Sequence, residues 1–468
     1  MKQIAIVCIM FGIMQSSCKK FVQVSVPATA LASTTVYQSN SSAAAVLTGI
    51  YSGMATDGVY AGGPSSIGYL CGNAADELMN YTKAGVSVNF YTNSYTPDVG
   101  VFWSNLYKKI YVANAAIQGI SNSKSLSQSI RNQLLGEALF IRAFLHFYAT
   151  NLFGNVPLVT TTNYQTNNSL VCTPRGQVYQ QIIEDLQDAK RLLNDNFLDP
   201  TGAETTERIR PNKGAVNSLL ARAYLYQKKW NSAELEASEV ISNNPLYSLD
   251  TLNGVFLKNS VESIWELQSI KPGYNTADAT NYILTSPPGT GTFSVAISPQ
   301  LFGAFELGDY RASKWIGAYT KSGQTYYFPY KYKQGVYSMT NPVTEYEVVF
   351  RLAEQYLIRA EARAEQGNLS DATKDLNLIR SRAGLANTIA VTQADILTAI
   401  YHERQVELFT EWGHRWFDLK RTDSVNSVMS IVTPQKGGIW APYKSEFPIP
   451  LSEILLNGNL TQNPGYTN

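Results

Sequence analysis

The sequence predicts a mainly α-helical protein in which helical hairpins form a scaffold and long irregular loop segments pack on it. Three observations predict this fold class. Apolar residues recur at helical spacing over long stretches, and two later segments repeat one pattern of helix, polar turn and helix. Two further stretches, 58–100 and 244–344, are rich in Gly, Pro, Asn and Tyr and show only brief helical spacing. We expect residues 41–468 to form one domain.

The first residues have the features of a bacterial lipoprotein signal. Lys2 supplies a positive charge, Ile4 to Met14 is apolar, and small residues precede Cys18. We therefore expect a signal peptide over 1–17 and lipid on Cys18, which would hold the chain at a membrane. Residues 18–40 are rich in Ser, Thr and Val without helical spacing, and we interpret them as a tether. An ordinary secretory signal is the alternative.

Local signals place several helices. The first half of the chain has the apolar spacing of helices over 41–54, 101–120, 132–153 and 173–194. The third is apolar on most sides, which indicates a helix buried over most of its surface. Thr173 and Pro174 suit the N-cap and the first residue of the fourth. Thr392 and Asp395 form a capping box for a later helix that we expect to end at about Thr410.

Two segments in the second half of the chain share one pattern. The first contains Arg222-Ala223 and Trp230-Asn231-Ser232-Ala233, and the second contains Arg359-Ala360 and Leu369-Ser370-Asp371-Ala372. Alanines let two helices pack closely, and the large apolar residue after the turn fills the space between them. Such hairpins are similar to tetratricopeptide units. Arg142-Ala143 marks a third, more divergent candidate, and generic alanine-rich hairpins are the alternative.

Composition excludes or disfavours several classes of function. Lys and Arg total 37 and Asp and Glu total 36, so the chain lacks the positive charge that nucleic-acid binding requires. His146, His402 and His414 lack the spacing of a zinc protease, and we expect no catalytic residue, metal or cofactor. A carboxylate pair for glycoside hydrolysis depends on distance in space, so a hydrolase stays an alternative. Whether Cys71 and Cys172 pair stays open.

Six blocks follow one another along the mature chain. They are Cys18-Lys19-Lys20-Phe21; Trp103, Tyr107, Ile110, Ala113 and Asn114; Gly136-Glu137-Ala138 with Arg142-Ala143-Phe144 and Gly154-Asn155-Val156-Pro157-Leu158; Arg404, Glu407, Leu408, Gly413, Arg415, Phe417, Asp418, Leu419 and Arg421; Phe447-Pro448-Ile449-Pro450; and Gln462-Asn463-Pro464-Gly465-Tyr466. Because the six blocks occur in this order, the chain resembles the SusD/RagB family over nearly its whole mature length. The charged residues in them are interpreted as paired, partly buried structural groups.

The resemblance implies a fold and a function. The fold is a tetratricopeptide-like scaffold acting as one domain. The function is that of a lipoprotein of the Bacteroidetes outer membrane, facing the cell exterior, which binds glycans and delivers them to a SusC-like TonB-dependent transporter. The family is one of binding proteins without catalysis. A tetratricopeptide-type scaffold that binds a protein or peptide in its grooves is the second class of function that we consider.

The two irregular stretches hold the candidate ligand-binding residues. Aromatic faces stack on the C–H faces of sugar rings, while amide and charged groups hydrogen-bond the hydroxyls. The candidates are Asp76, Tyr81, Phe90, Tyr91, Asn93 and Tyr95 in the first stretch, and Tyr274, Tyr282, Trp315, Tyr319, Tyr326 and Tyr327 in the second. Asp76 is included because the resemblance places an acid there. Trp315 is the first choice of platform because its ring is the largest. The alternative is that these rings pin the loops to the helices.

Overall fold

The computed structural model describes residues 35–98, 100–290, 294–340 and 342–467. The predicted signal peptide, the lipidated Cys18 and the tether up to residue 34 lie outside the described residues. Within the described ranges, no helix is both long enough and apolar enough to cross a membrane. Helices account for most of the regular structure, which confirms the predicted fold class.

The first half of the chain is helical apart from one short strand. Its elements are α1 (Asn40–Thr56), α2 (Ile67–Ala74), β1 (Leu78–Asn80), α3 (Val86–Tyr91), α4 (Val101–Asn122), α5 (Gln128–Phe153), α6 (Tyr164–Asn167), α7 (Arg175–Leu192), α8 (Lys213–Tyr226) and α9 (Trp230–Ser242). Helices α1, α4, α5 and α7 confirm the four predicted helices to within a few residues. The predicted cap of α7 is wrong by one residue. Pro174 occupies the N-cap, and the Arg175 N–H donates to Asn155 Oδ1 at 3.0 Å.

Short strands and helices make up the regular structure of the second loop-rich region and of the residues just after it. They are β2 (Ser263–Leu267), α10 (Ala277–Tyr282), β3 (Val295–Ile297), α11 (Pro299–Phe302), α12 (Tyr310–Lys314), β4 (Ile316–Lys321), β5 (Gln324–Pro329) and β6 (Glu347–Arg351). Three antiparallel pairs form, β1 with β3, β2 with β6 and β4 with β5. The β1–β3 pair joins the first loop-rich region to the second, so the two regions share one surface of the molecule.

The C-terminal part is again helical. It contains α13 (Leu352–Glu365), α14 (Leu369–Arg382), α15 (Gln393–Glu407), α16 (His414–Arg421), α17 (Val425–Gln435) and α18 (Leu451–Leu456). The predicted cap of α15 is confirmed, since the Asp395 N–H donates to Thr392 Oγ1 at 3.2 Å. α15 ends at Glu407, a few residues before the predicted end at about Thr410, and Thr410, with φ of 58°, is left-handed. Gly413, with φ of 75°, then starts α16.

The predicted hairpins are α8–α9 and α13–α14, and α9 packs on α13 between them. Their alanines are buried, as close packing of paired helices requires. Arginines of the predicted repeats pair bidentately with carboxylates, at distances of 2.6–2.8 Å: Arg142 with Asp185, Arg222 with Glu354, and Arg359 with Asp375. The expectation that charges in the blocks are paired holds for Arg142, although its partner lies outside its own block. Such forked pairs orient one helix on the next.

A buried ion network fastens the loop-rich middle to the helical scaffold. Glu407, at the end of α15, lies 2.8 Å from Arg311 of α12 and 2.6 Å from Arg351 of β6, and it also pairs with Arg382 of α14. All four side chains are largely removed from water. Breaking one partner of such a set leaves an uncompensated buried charge. The network therefore ties segments that are far apart in the sequence into one packed unit.

Candidate binding site

Two strand pairs bring tyrosines from the two loop-rich regions side by side. Beyond the end of β1, the Tyr81 N–H donates to the Ser294 carbonyl at 2.8 Å, which extends the β1–β3 pair. In the β4–β5 hairpin, Tyr319 lies directly opposite Tyr326. Directly opposed residues of antiparallel strands project to the same side, so these two rings share one face of the hairpin.

Tyr81 and Tyr326 contact each other edge to face. Their ring centroids are 5.7 Å apart and their planes meet at 81°. Tyr91, the last residue of α3, lies close by. Burial is the largest cause of the raised pKa of Tyr81, and the neighbouring hydroxyls of Tyr326 and Tyr91 raise that pKa further. The four rings Tyr81, Tyr91, Tyr319 and Tyr326 are half-buried, and together they are named the aromatic face. The structure thus brings together four of the twelve predicted site residues.

Amide and hydroxyl groups lie beside the aromatic face. Asn80 Nδ2 donates to Asn73 Oδ1 at 2.8 Å, and Asn80 Oδ1 accepts from the Thr82 N–H at 2.8 Å. The hydroxyls of Thr82 and Ser87 lie 3.3 Å apart, and both residues are half-buried. Groups of this kind donate and accept hydrogen bonds, as sugar hydroxyls do. Rings with such neighbours suit a neutral ligand that has both C–H faces and hydroxyls.

Lys436 contacts both the end of α2 and one ring of the aromatic face, and the sequence analysis did not identify it. Its ammonium donates to the carbonyls of Asn73 at 2.8 Å and Ala74 at 3.3 Å, and also to that of Ala75. The nitrogen lies 5.1 Å from the centroid of the Tyr91 ring. Burial lowers the pKa of Lys436 to about 7. A lysine at the carboxyl end of a helix stabilises its last carbonyls, so Lys436 fixes α2 and Tyr91 relative to α17.

Asp76 is committed to a structural pair. Its carboxylate accepts two hydrogen bonds from Arg415, at 2.8 and 2.7 Å, and the residue is buried. Burial opposes ionisation, but the Arg415 charge and its hydrogen bonds outweigh this and lower the pKa of Asp76. The expectation that Asp76 offers a free carboxylate to a ligand is corrected: it anchors the segment before β1 to α16. The neighbouring Glu77 is buried as well, and burial raises its pKa to about 8.

Phe90, Asn93 and Tyr95 lie in the core instead of at the surface. The Phe90 centroid is 5.1 Å from that of Tyr95 and 4.8 Å from that of Phe447, so the rings pack on one another. Asn93 Nδ2 donates to the Ala74 carbonyl at 3.0 Å. These residues pin the first loop-rich region to the scaffold, and we correct the expectation that they contact a ligand.

Trp315 and Tyr282 are buried too. Trp315, the first choice of platform, is 0% exposed, and its indole N–H donates to the Leu252 carbonyl at 2.7 Å. Its ring lies 5.5 Å from that of Phe256. Tyr282 packs against Tyr69, with ring centroids 6.0 Å apart. Neither ring has a free face for a sugar, which corrects both expectations. Their apolar area stabilises the loops on the core instead.

Tyr274 and Tyr327 lie outside the aromatic face. Tyr274 packs on Tyr337, with centroids 4.6 Å apart, and Lys271 Nζ lies 4.1 Å from its ring. Tyr327 follows Tyr326 in β5, so it projects to the opposite side of the hairpin. There it stacks on Phe302 at 4.0 Å. The thiols of Cys71 and Cys172 are free, so the two cysteines do not pair.

Comparison with known proteins defines the class of this chain. The profile described as SusD family matches residues 305–466, and the profile described as "Starch-binding associating with outer membrane" matches residues 26–225. The two matches lie in different parts of the chain and together span most of it. The chain belongs to the SusD/RagB family.

Individual relatives and structures agree with this assignment. The SusD-like protein P25 of Formosa agariphila is 25% identical, with 97% of this chain and 96% of the relative covered. The starch-binding protein SusD of Bacteroides thetaiotaomicron is 37% identical over 124 residues, which are 25% of this chain and 21% of that protein. A solved laminarin binding SusD-like protein is 26% identical, with a TM-score of 0.76, and the match covers 92% of this chain and 100% of that structure.

Proposed function

We propose that this chain is a lipid-anchored protein of the outer membrane that binds oligosaccharides on the aromatic face. It then delivers them to a SusC-like TonB-dependent transporter. The observation that carries the proposal is the contact of Tyr81 with Tyr326, which assembles one ring surface from two distant segments. Amides and hydroxyls beside the rings supply the hydrogen bonds that orient a sugar.

Family membership supports the glycan as ligand and the outer membrane as location. One matching profile is described as starch-binding and associating with the outer membrane, and one structural relative carries laminarin binding in its name. Those names describe other proteins, and the glycan of this chain is a separate question. Delivery to a barrel, attachment through lipid on Cys18 and an exterior orientation follow from the family resemblance.

The two acids just before β1 favour binding over catalysis. Hydrolysis of a glycoside needs two carboxyl groups that can reach the scissile bond from either side. Asp76 is held by Arg415, and Glu77 is buried, with its Oε1 accepting from the Thr410 N–H at 3.2 Å. Neither carboxyl group is free to move a proton to a bound sugar. Among the described residues, no group of three or more His, Cys, Asp and Glu could hold a metal ion.

The helical hairpins leave little room for a peptide between them. Arg363 of α13 bonds Glu234 of α9 at 2.8 Å and also Asp375 of α14 at 2.8 Å. Ala233 and Ala237 of α9 are fully buried. The surface between the hairpins, where a tetratricopeptide protein would hold a peptide, is filled by the chain's own side chains. These contacts favour the glycan proposal over the peptide-binding alternative.

A glycan array tests the proposed function. The full-length chain, purified in detergent, is applied to oligosaccharides from plant, algal, fungal, microbial and host sources. We expect binding to one structural class of neutral glycan. In the producing cells, we also expect a TonB-dependent barrel to co-purify with the chain. Absence of binding across the array, together with absence of a barrel from the purified material, would overturn the proposal.

A further inference from the structure

A second concave surface lies along α4, apart from the aromatic face. A cavity of about 550 Å³ lies between α4 and residues 160–165. A second cavity of about 280 Å³ extends to α18, and Tyr164 lines both cavities. Together the two cavities are named the α4 groove. Among the described residues that line it, none belongs to the aromatic face.

The larger cavity is polar without being charged. Its described lining consists of amide, hydroxyl, phenol and aliphatic side chains, among them Asn114, Gln118, Thr162, Asn163, Tyr164 and Gln165, and it includes no Asp, Glu, Lys, Arg or His. A charged ligand would lose hydration there without gaining a partner of opposite sign. The larger cavity therefore selects for a neutral ligand that carries many hydroxyl groups, and the smaller cavity adds one acidic side chain, Glu453.

Two exposed rings flank the groove. Tyr164 is 69% exposed and Tyr111 is 51% exposed, so each is more accessible than the four half-buried rings of the aromatic face. Both line the smaller cavity. Aromatic rings left in water beside amides and hydroxyls are the elements of a sugar-stacking surface.

The groove is held in place before any ligand arrives. Tyr107 OH donates to the Pro157 carbonyl at 2.9 Å, and Asn114 Nδ2 donates to the Val159 carbonyl at 2.9 Å. Asn457, which lines the smaller cavity, donates through Nδ2 to the Leu170 carbonyl at 2.8 Å. A wall fixed in this way loses little conformational entropy on binding.

One polar atom at the groove lacks a partner. Asn167 Oδ1 is buried, yet it accepts no hydrogen bond from any described residue. The Nδ2 atom of the same side chain donates to the Thr161 carbonyl at 2.9 Å, which fixes the orientation of the amide. A buried acceptor without a donor costs free energy.

We infer that the α4 groove is a second oligosaccharide site, which takes a neutral glycan against Tyr111 and Tyr164. This inference rests on the proposed function, because it assigns the same class of ligand to a different surface. A polysaccharide held at two sites of one chain binds more tightly than at either site alone, since the second contact forms within the complex.

Native gels that contain starch, laminarin, xylan or galactomannan test the inference with the full-length chain in detergent. The groove variant is Tyr111→Ala/Tyr164→Ala, and both rings are exposed enough to be removed without opening the core. Tyr310→Ala, at a ring 57% exposed and outside both sites, is the matched control. For a polysaccharide that slows the wild type, we expect the groove variant to bind about threefold to tenfold more weakly. Adding Tyr326→Ala should weaken binding further, and the control should match the wild type.

Each contrary outcome points to a different failure. If the wild type is slowed and the groove variant is slowed equally, the groove inference is overturned while the proposed function stands. If the groove variant keeps its polysaccharide binding and loses only the co-purified barrel, the groove is a protein interface and the inference is again overturned. If none of the four polysaccharides slows the wild type, the groove inference is overturned for these glycans, whereas the proposed function is overturned only by the array and the barrel co-purification together.

Discussion

The ring of Tyr81 meets the ring of Tyr326 edge to face, with 5.7 Å between their centroids. Tyr81 follows β1 and Tyr326 lies in β5, so this contact joins the two loop-rich regions at one surface. Tyr319 lies opposite Tyr326 in the hairpin. The rigidity of the ring surface therefore depends on two strand pairs and on the residues that hold α2 and α3 beneath it.

Lys436→Met should destabilise the aromatic face, although Lys436 is not proposed to contact the ligand. The substitution removes the ammonium that donates to the carboxyl end of α2 and lies against Tyr91. We expect a loss of about 1–3 kcal/mol in the free energy of unfolding and weaker polysaccharide binding. Lys374→Met, at an exposed pair with Asp371, should change neither quantity. Urea unfolding and affinity gels measure both, and an unchanged Lys436→Met protein would refute the supporting role.

Glu77→Gln should change how stability depends on pH. Burial, and to a smaller extent the Asp76 charge, raises the pKa of Glu77 from 4.5 to about 8. Between these two pH values the folded chain keeps a proton on Glu77 that the unfolded chain releases. The free energy of unfolding therefore falls as pH rises from about 5 to about 8. Glutamine does not titrate and still accepts from the Thr410 N–H. We expect the variant to be more stable than the wild type at pH 8 by at least about 1 kcal/mol, and similar at pH 5.

Urea unfolding at pH 5, 6.5 and 8 measures this difference. Other buried carboxyl groups, such as Glu266 and Asp278, also have raised pKa values, so the wild type and the variant are compared at each pH. Curves of stability against pH that run parallel for the two proteins would show that Glu77 is ionised in the folded state.

Glu407→Gln should destabilise the whole protein. The carboxylate pairs with Arg311, Arg351 and Arg382, so its removal takes one negative charge from this buried network. Each guanidinium keeps at least one other carboxylate partner, but the cluster as a whole gains an uncompensated positive charge. We expect a loss of about 3–5 kcal/mol, seen in thermal and urea unfolding. The wild type and the variant should each unfold in a single transition, because the network joins the loop-rich middle to the helices. Two separate transitions in the wild type would contradict the proposal of one domain. Asp371→Asn, in an exposed pair, is the control and should cost little.

Cys18→Ala should release the protein from membranes while leaving the folded body intact. The reason is that lipid, and not a spanning helix, is proposed to hold the chain at the membrane. Fractionation of cells that lack the partner transporter, with circular dichroism of the released protein, measures this. A variant that still sediments with membranes in those cells would contradict the lipid anchor.

Local signals in the sequence sufficed for the scaffold. Apolar spacing predicts α4 and α5, and Thr392 predicts the start of α15, because helical periodicity and capping depend on residues within one or two turns. The ends were placed to within a few residues: α15 ends at Glu407, before the left-handed Thr410. Pairing of the charged residues in the six blocks was likewise expected from the cost of burying a charge, and Arg142 and Arg415 confirm it.

The binding surface could be predicted only in part, because it depends on contacts between distant segments. The size of the Trp315 ring does not reveal that Phe256 and the Leu252 carbonyl enclose it. Strand pairing, which brings Tyr81 to Tyr326, has no local signal. The sequence carries one local signal near Lys436, the glycine at position 438. In the structure a side chain at Gly438 would collide with the Thr92 carbonyl, so the backbone beside Lys436 lies close to the residue that follows Tyr91.

Titration calorimetry of Tyr326→Ala with the oligosaccharide selected on the array tests the central claim most directly. Removing one stacking ring should lower the affinity about threefold to tenfold, or about 1 kcal/mol, with the circular dichroism spectrum unchanged. Tyr310→Ala, measured beside it, should bind as the wild type does. If Tyr326→Ala is folded and binds the oligosaccharide as tightly as the wild type, the aromatic face is not the glycan-binding site.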